Sequence, residues 1–431
     1  MRRLQVLKRL GRHLHWLWAL MWFSLVTCVV TYPVVFCLNA CLPGDDFRVV
    51  DTREAVWAIW WWKRALIDLH QSPTAISMLN FPDGLRFPLF PAMVQTFIFA
   101  TPLAALFSPV IAYNSLFLAS FAFSGLSGYA LCMAISRDRV ASLFGGVVWS
   151  FFANKMGHAL GGHFYFLVVF TLPLLPLAVL WLLNQPSRLR ATITGSVIAC
   201  VAAVHPTYTV YFVAPMLVAL IGPIVLRDWR NITSSAQLRA CLFALIIAAV
   251  LYLPLLLPVL VEITQGRAQS LKAPPDAVYL SVDALSFFIP PPQNPVTLAS
   301  GLNGLATKSV YSLYESLGYI GWIAIGLAVI GAVAHWREVR VWVILALCAS
   351  VFALGPLLKV AGNIVRIGDA ATPISLPYAF LSQLPFLEWG RTPGRVFVLI
   401  MLPVAVLASI GLKFALQRRF LSSAWVRFGL A

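Results

Sequence analysis

Charge is scarce in these 431 residues: 11% of the side chains are Asp, Glu, Lys or Arg, and only 15 are acids. With 60% hydrophobic residues and a mean hydropathy of +0.85, the chain cannot cover itself with polar groups in water, so its apolar side chains must face lipid. A disulfide framework is lacking as well. The seven cysteines are odd in number and scattered, with no CxxC pair and no His/Cys grouping that would suggest zinc. Cys37 and Cys41 could meet on one helical face, but two core thiols are the expectation. No GxxxxGK[ST] loop is present, which argues against a P-loop nucleotide site. The first apolar run follows basic residues as a signal peptide would, yet it is long and ends without a small-residue cleavage pattern, so it reads as an uncleaved span.

Long apolar runs are what the chain has in abundance. They place spans at about 15–38, 109–135, 139–153, 164–183, 190–205, 207–226, 237–260, 316–334, 340–358 and 396–415. The expected fold is therefore an all-α polytopic membrane protein of about ten transmembrane helices, one domain over 1–431. Residues 88–136 stay apolar for too long to be one helix, and Pro102 and Pro109 interrupt them. A half-inserted or interfacial helix at about 88–106 followed by one span is preferred to three short crossings.

The formal net charge of +16 is explained by where it lies. With both termini cytoplasmic, 18 of the 31 basic residues fall in inner segments, among them Arg137, Arg139, Arg188, Arg190, Arg227 and Arg230, against only Asp138, Asp228 and Glu338 of the acids. The excess is thus a topology signal for a cell (inner) membrane protein, and no nucleic-acid partner is expected. The large loops, at about 39–90, 154–163, 261–315 and 359–395, then lie on the non-cytoplasmic face. Chemistry there must use a donor already in the lipid bilayer or outside it.

The densest acid cluster opens the first of these loops, in "PGDDFRVVDTREAVWAIWWWKRAL" at 43–66. From Asp51 the pattern reads as an interfacial helix, with Asp51 and Glu54 in capping-box spacing and Trp57, Trp60, Trp61 and Trp62 as aromatic anchors or as a substrate platform. Asp51 is either a helix cap or, with Asp45 and Asp46, a carboxylate above the headgroups that takes a proton from an acceptor. His158 and His163 lie in "NKMGHALGGH", the second loop, facing the first. His163 suits a hydrogen-bonding or phosphate-contacting role; with Asp51 it could also hold a divalent cation, although Mg²⁺ prefers oxygen ligands. Arg391 and Arg395, in "EWGRTPGRVF", are either phosphate contacts or snorkelling interfacial arginines. Glu315 opens a span as a helix-start carboxylate or as an acceptor contact. His205, in "VHPTY", reads as a turn former, and "NIT" at 231–233 falls on the inner side.

At these residues the chain resembles the GT-C superfamily of polytopic glycosyltransferases, whose essential acid lies early in the first external loop. It is most similar to a bacterial set with "GGDP..FIW.L.WW..AL..G..P" followed by "F.P.G" and "GP..AYN". The matching stretches are "NFPDGLRFP" at 80–88, "SPVIAYN" at 108–114, "GGHFYFLVVFTLPLLPL" at 161–177, "FFIPPPQNP" at 287–295, "ESLGYIGW" at 315–322 and "RTPGR" at 391–395. The Gly-Asp-Pro form is replaced here by "VVDTR". The resemblance implies transfer of a hexosyl or pentosyl group from a polyprenyl-phosphate sugar donor to a glycan, lipid or protein acceptor. Asp51 would be the base, with Asp45 or Asp46 as rival; Arg391, Arg395 and His163 would meet the donor phosphate; Glu54, Trp57, His158 and Glu315 would line the acceptor side. No metal ligands are assigned. A lipid or glycan transporter, or a non-catalytic protein that keeps the fold, would share the same membrane layout.

Overall fold

The computed structural model describes residues 2–44, 50–87, 90–228, 235–265, 275–368, 372–383 and 392–418. Asp45, Asp46, Arg391 and the "NIT" stretch at 231–233 lie outside them. The chain is mostly helical: α1 (Arg2–Val30), α2 (Val50–Lys63), α3 (Val94–Leu106), α4 (Pro109–Ser136), α5 (Arg139–Ser150), α6 (Ala153–Leu160), α7 (Phe164–Leu167), α8 (Leu174–Asn184), α9 (Arg188–Ala202), α10 (Pro206–Tyr208), α11 (Ala214–Asp228), α12 (Ala236–Thr264), α13 (Pro295–Ala299), α14 (Asn303–Ser309), α15 (Trp322–Ala334), α16 (Trp336–Ala353), α17 (Pro377–Leu381) and α18 (Phe397–Gln417). Among the described residues strands are confined to three antiparallel two-residue pairs in the loops; the first sets Ala75 opposite Arg86 and Ile76 opposite Leu85.

Punctuation in the sequence sets many of these ends. Ser108 caps α4 through Ile111 N at 3.1 Å, with Pro109 at the first helical position where a missing N–H costs nothing. Arg137 closes α4 in the left-handed region, and Asp138 immediately caps α5 through Ala141 N at 2.9 Å. Two expected spans are shortened. The run at 164–183 is not one helix, because Pro173 lacks a donor and disfavours helical geometry before it; α7 ends at Leu167 and α8 begins at Leu174. The span expected from 316 begins only at Trp322, after Gly321 at φ 100°.

Among the described residues four helical stretches are long and apolar enough to cross a membrane: Pro109–Ser136, Pro206–Asp228, Ala236–Val261 and Pro393–Gln417. Shorter apolar helices at Leu14–Val30, Val94–Leu106, Leu174–Asn184 and Trp322–Ala334 accompany them. On α12, Leu242, Ile246, Val250, Leu253 and Leu257 are all exposed, a continuous apolar face that water would not tolerate. The chain is a helical membrane protein. α18 is the opposite case: its most apolar window is 94% buried, enclosed by α4, α5, α15 and α16. It approaches α15 so closely that a Cβ on Gly411 would stand 1.9 Å from Leu327 O, and one on Gly331 2.2 Å from Leu407 O. Small residues are what permit such backbone contact in lipid.

A second core gathers around α2. Ala55, Ala58, Ile59, Trp61 and Trp62 are buried against α3 and α4, and Trp62 stacks on Phe97 with centroids 4.3 Å apart. Trp61 donates to Pro73 O at 2.8 Å. The tryptophans are thus not a row of interface anchors: the inner two are core residues, and Trp57 and Trp60 are half-buried beside them. Cys37 and Cys41 are also not free thiols. They form a disulfide, in a turn held by Asn114, which donates to Leu38 O and Cys41 O at 2.8 and 2.7 Å.

Candidate functional site

α2 begins at Val50, so Asp51 is not the cap of this helix but stands in its first turn, with its carboxylate half exposed. Next to it, buried Thr52 donates to Pro43 O at 3.3 Å and holds the helix to the chain leaving the disulfide turn. The freed carboxylate reaches out of the helix to His163, whose Nε2 lies 2.8 Å from Asp51 Oδ2.

The histidines meet because of glycine. His158 lies in the last turn of α6, and Gly162, at φ 72°, turns the chain back so that His163 N donates to His158 O at 3.0 Å. The two rings then come together, Nδ1 to Nδ1 at 2.8 Å. One consistent proton arrangement has His163 donate through Nε2 to the carboxylate and accept at Nδ1 from His158.

Glu315 enters from the far side. Gly157 lets the 313–317 segment lie directly on α6, for a Cβ there would be 2.0 Å from Leu313 O. Asn154 fastens the contact by donating to Tyr314 O and Leu317 O at 3.3 and 3.2 Å. Glu315 is therefore neither a helix-start carboxylate nor exposed: it precedes α15 and is buried. Its partner is Arg395, which donates from Nε to both carboxylate oxygens at 3.1 and 3.0 Å and from Nη2 to Oε1. Gly394 makes that possible, because a Cβ on it would lie 1.8 Å from Glu315 O. Arg395 lies 3.9 Å above the Phe166 ring and is only 15% exposed, so it is not a snorkelling interfacial arginine. Among the described residues its Nη1 has no hydrogen-bond partner.

Electrostatics follow from burial and this pairing. Burial works to raise Glu315, but the Arg395 guanidinium and the neighbouring histidines outweigh it and hold the carboxyl at about 2. Burial drives His158 down to about 3 against the pull of Glu315. His163 is lowered too, burial again leading, with Glu315 and Asp51 opposing. Both imidazoles are neutral at pH 7. Glu54 is raised by partial burial and by the charge of Asp51 one turn away.

His158, His163 and Glu315 present ligand atoms within 4.8 Å of one another, a nitrogen-rich set that would suit zinc better than magnesium. These donors are already committed, Glu315 to a guanidinium and the imidazoles to each other and to Asp51. A cation would face the charge of Arg395, so the residues do not fit a divalent metal.

Five expected residues thus come together: Asp51, His158, His163, Glu315 and Arg395. Glu54 stays apart on α2, and Trp57 stacks on Trp61 with centroids 6.3 Å apart. Sequence reasoning missed Phe166, Asn154 and above all Lys155. Fully buried, Lys155 donates to Ser120 O at 2.9 Å and Ser124 Oγ at 2.8 Å, lies over the Phe121 ring, and is pushed well down by burial. Serines one helical turn apart on α4 were its only sequence trace. His205 does serve as a turn former, accepting from Thr207 N at 3.1 Å. No family model, no curated protein and no solved structure matches the chain.

Proposed function

We propose that the protein is a multi-pass membrane glycosyltransferase that moves a sugar from a polyprenyl-phosphate carrier to an acceptor on the non-cytoplasmic face. The observation that carries this reading is the half-exposed Asp51 carboxylate backed by a neutral imidazole pair, the partly exposed His163 and behind it the buried His158. In the reaction an acceptor hydroxyl attacks the anomeric carbon, the bond from that carbon to the phosphate oxygen breaks, and the hydroxyl proton passes to Asp51. A base needs an open face and a fixed orientation, and Asp51 has both: one side meets solvent, the other is held by His163. The phosphate leaves with its charge toward Arg395 Nη1, outside the Glu315 pair.

A lipid-borne donor agrees with an apolar cleft of about 510 Å³ lined by Trp16, Phe99, Leu116, Phe123, Phe170 and Leu174 among others; the cluster residues themselves do not line it. The Cys37–Cys41 disulfide also agrees with the first loop lying in an oxidising compartment. On this reading α1, α5, α8, α9, α15 and α16 join the four long stretches in ten crossings, with α3 half-inserted and both termini in the cytoplasm. The test is incubation of membranes carrying the protein with labelled polyprenyl-phosphate sugars. Label appearing in a new lipid or glycan supports the reading; intact donor across sugars and acceptors, with folded protein, rejects it.

A further inference from the structure

At the opposite end of α4 from Ser108, a second cavity of about 400 Å³ opens between α1, α4 and α5. Its walls are Trp18, Ala19, Trp22, Tyr129 and Leu143, and its polar members are His15 and Arg139. The aromatic side is ordered: His15 meets the Tyr129 ring edge-on at 6.1 Å, and Trp16 does so at 5.2 Å. Tyr129 is fully buried as the floor, whereas Trp18 is 61% exposed at the mouth.

Arg139 is what makes this more than a greasy groove. It is exposed, and among the described residues it has no hydrogen-bond or ion-pair partner. The neighbouring acid, Asp138, is spent on capping α5. The same end of the molecule is basic in sequence: Arg2, Arg3, Lys8, Arg9 and Arg12 precede His15 on α1, and Arg137 precedes Asp138. An apolar slot walled by tryptophan, with a free guanidinium at its rim and no uncommitted acid, matches a molecule with a hydrocarbon chain and an anionic head.

We propose that this cavity binds an anionic phospholipid, with one acyl chain along Trp18, Ala19, Trp22 and Leu143 and the head phosphate on Arg139. The occupant is a bilayer lipid rather than free phosphate, because most of the lining surface is apolar and suits an acyl chain better than an inorganic ion. The inference rests on the membrane placement of the chain and is independent of the transfer reaction.

Brominated lipids quench tryptophan on contact, so the full-length protein in nanodiscs gives the measurement, with the difference between wild type and a Trp18→Phe/Trp22→Phe double variant isolating the cavity signal. Brominated phosphatidylglycerol should quench that signal at a mole fraction about fivefold lower than brominated phosphatidylcholine, the preference one basic side chain confers at a membrane surface. Arg139→Gln should erase the difference and leave phosphatidylcholine quenching intact. Leu143→Phe, which crowds the groove with Arg139 in place and adds no tryptophan, should weaken quenching by both lipids. Equal quenching by both lipids in the wild type, a preference that survives Arg139→Gln, or full reversal by millimolar inorganic phosphate would each overturn the proposal; unchanged melting temperatures certify that the variants are folded.

Discussion

One carboxylate oxygen of Asp51 is held by His163 Nε2 while its other side is open, and this asymmetry makes its substitution informative. Asparagine keeps the size and can still accept from Nε2, but it cannot take a proton. Asp51→Asn should leave folding intact while transfer falls roughly 10²–10⁴-fold, the range for a missing general base, measured as rate per folded protein. Near-normal transfer would move the base to Asp45 or Asp46. Glu315 has the opposite character. Glu315→Gln would strand the Arg395 charge in a buried site, so a loss of roughly 3–5 kcal/mol in unfolding free energy is expected, the range for a broken buried pair. Acid should act on the same group of residues. Glu315 is held at about 2 against a usual 4.5, so its stabilisation is complete above pH 4.5 and drains away toward pH 2. His158 is held at about 3 against a usual 6.5, so protonation of the unfolded chain starts to favour unfolding below pH 6.5 and does so increasingly toward pH 3. Both signs agree: melting temperature should decline from pH 6.5 downward, and His158→Asn should flatten the upper part of that decline. A melting temperature that rose on acidification would contradict this pairing.

Among the elements, the turn at 393–396 and the segment at 313–317 depend on each other through Gly394. Gly394→Ala would drive a methyl into Glu315 O and push the turn outward, taking Arg395 with it. Activity should collapse even though neither charged residue has changed, and circular dichroism should retain the helical signal. This is also where the sequence stops being readable. Caps such as Ser108 and Asp138 and the long runs around α4, α12 and α18 announce themselves, since apolar length and punctuation are local properties. The break at 168–173 hides inside an unbroken apolar run, where hydropathy cannot register it. The pairing of Glu315 with Arg395 joins residues 80 apart and has no local signature. The residues of the candidate site were recognisable by type and by loop, but their contacts were not. The burial of Trp61 and Trp62 likewise depends on α3 and α4, which nothing within α2 reveals.

For the whole molecule, the arrangement that gathers the site on one face makes a directional claim. A reporter fused near Arg190 should read cytoplasmic, and one near Asn294 should read external. The disulfide offers an independent check: in intact cells, a membrane-impermeant maleimide should label Cys37 and Cys41 only after mild reduction, and not at all in a Cys37→Ala/Cys41→Ala variant. Labelling that requires permeabilised cells would invert the topology.

The position of α18 carries a consequence for biosynthesis. Among the described residues the partners that surround this helix precede it in the chain, so α4, α5, α15 and α16 leave the ribosome before the strut they close around exists. Their inward faces, shaped by Gly331 for contact with another backbone, must wait in the bilayer as an unfilled slot, open to lipid or to chaperones. Arg395 arrives at the leading end of the same helix. The buried Glu315 charge is thus neutralised only when the slot fills, which ties assembly of the site to the arrival of α18 and leaves a chain stalled before it both unpacked and without its ion pair.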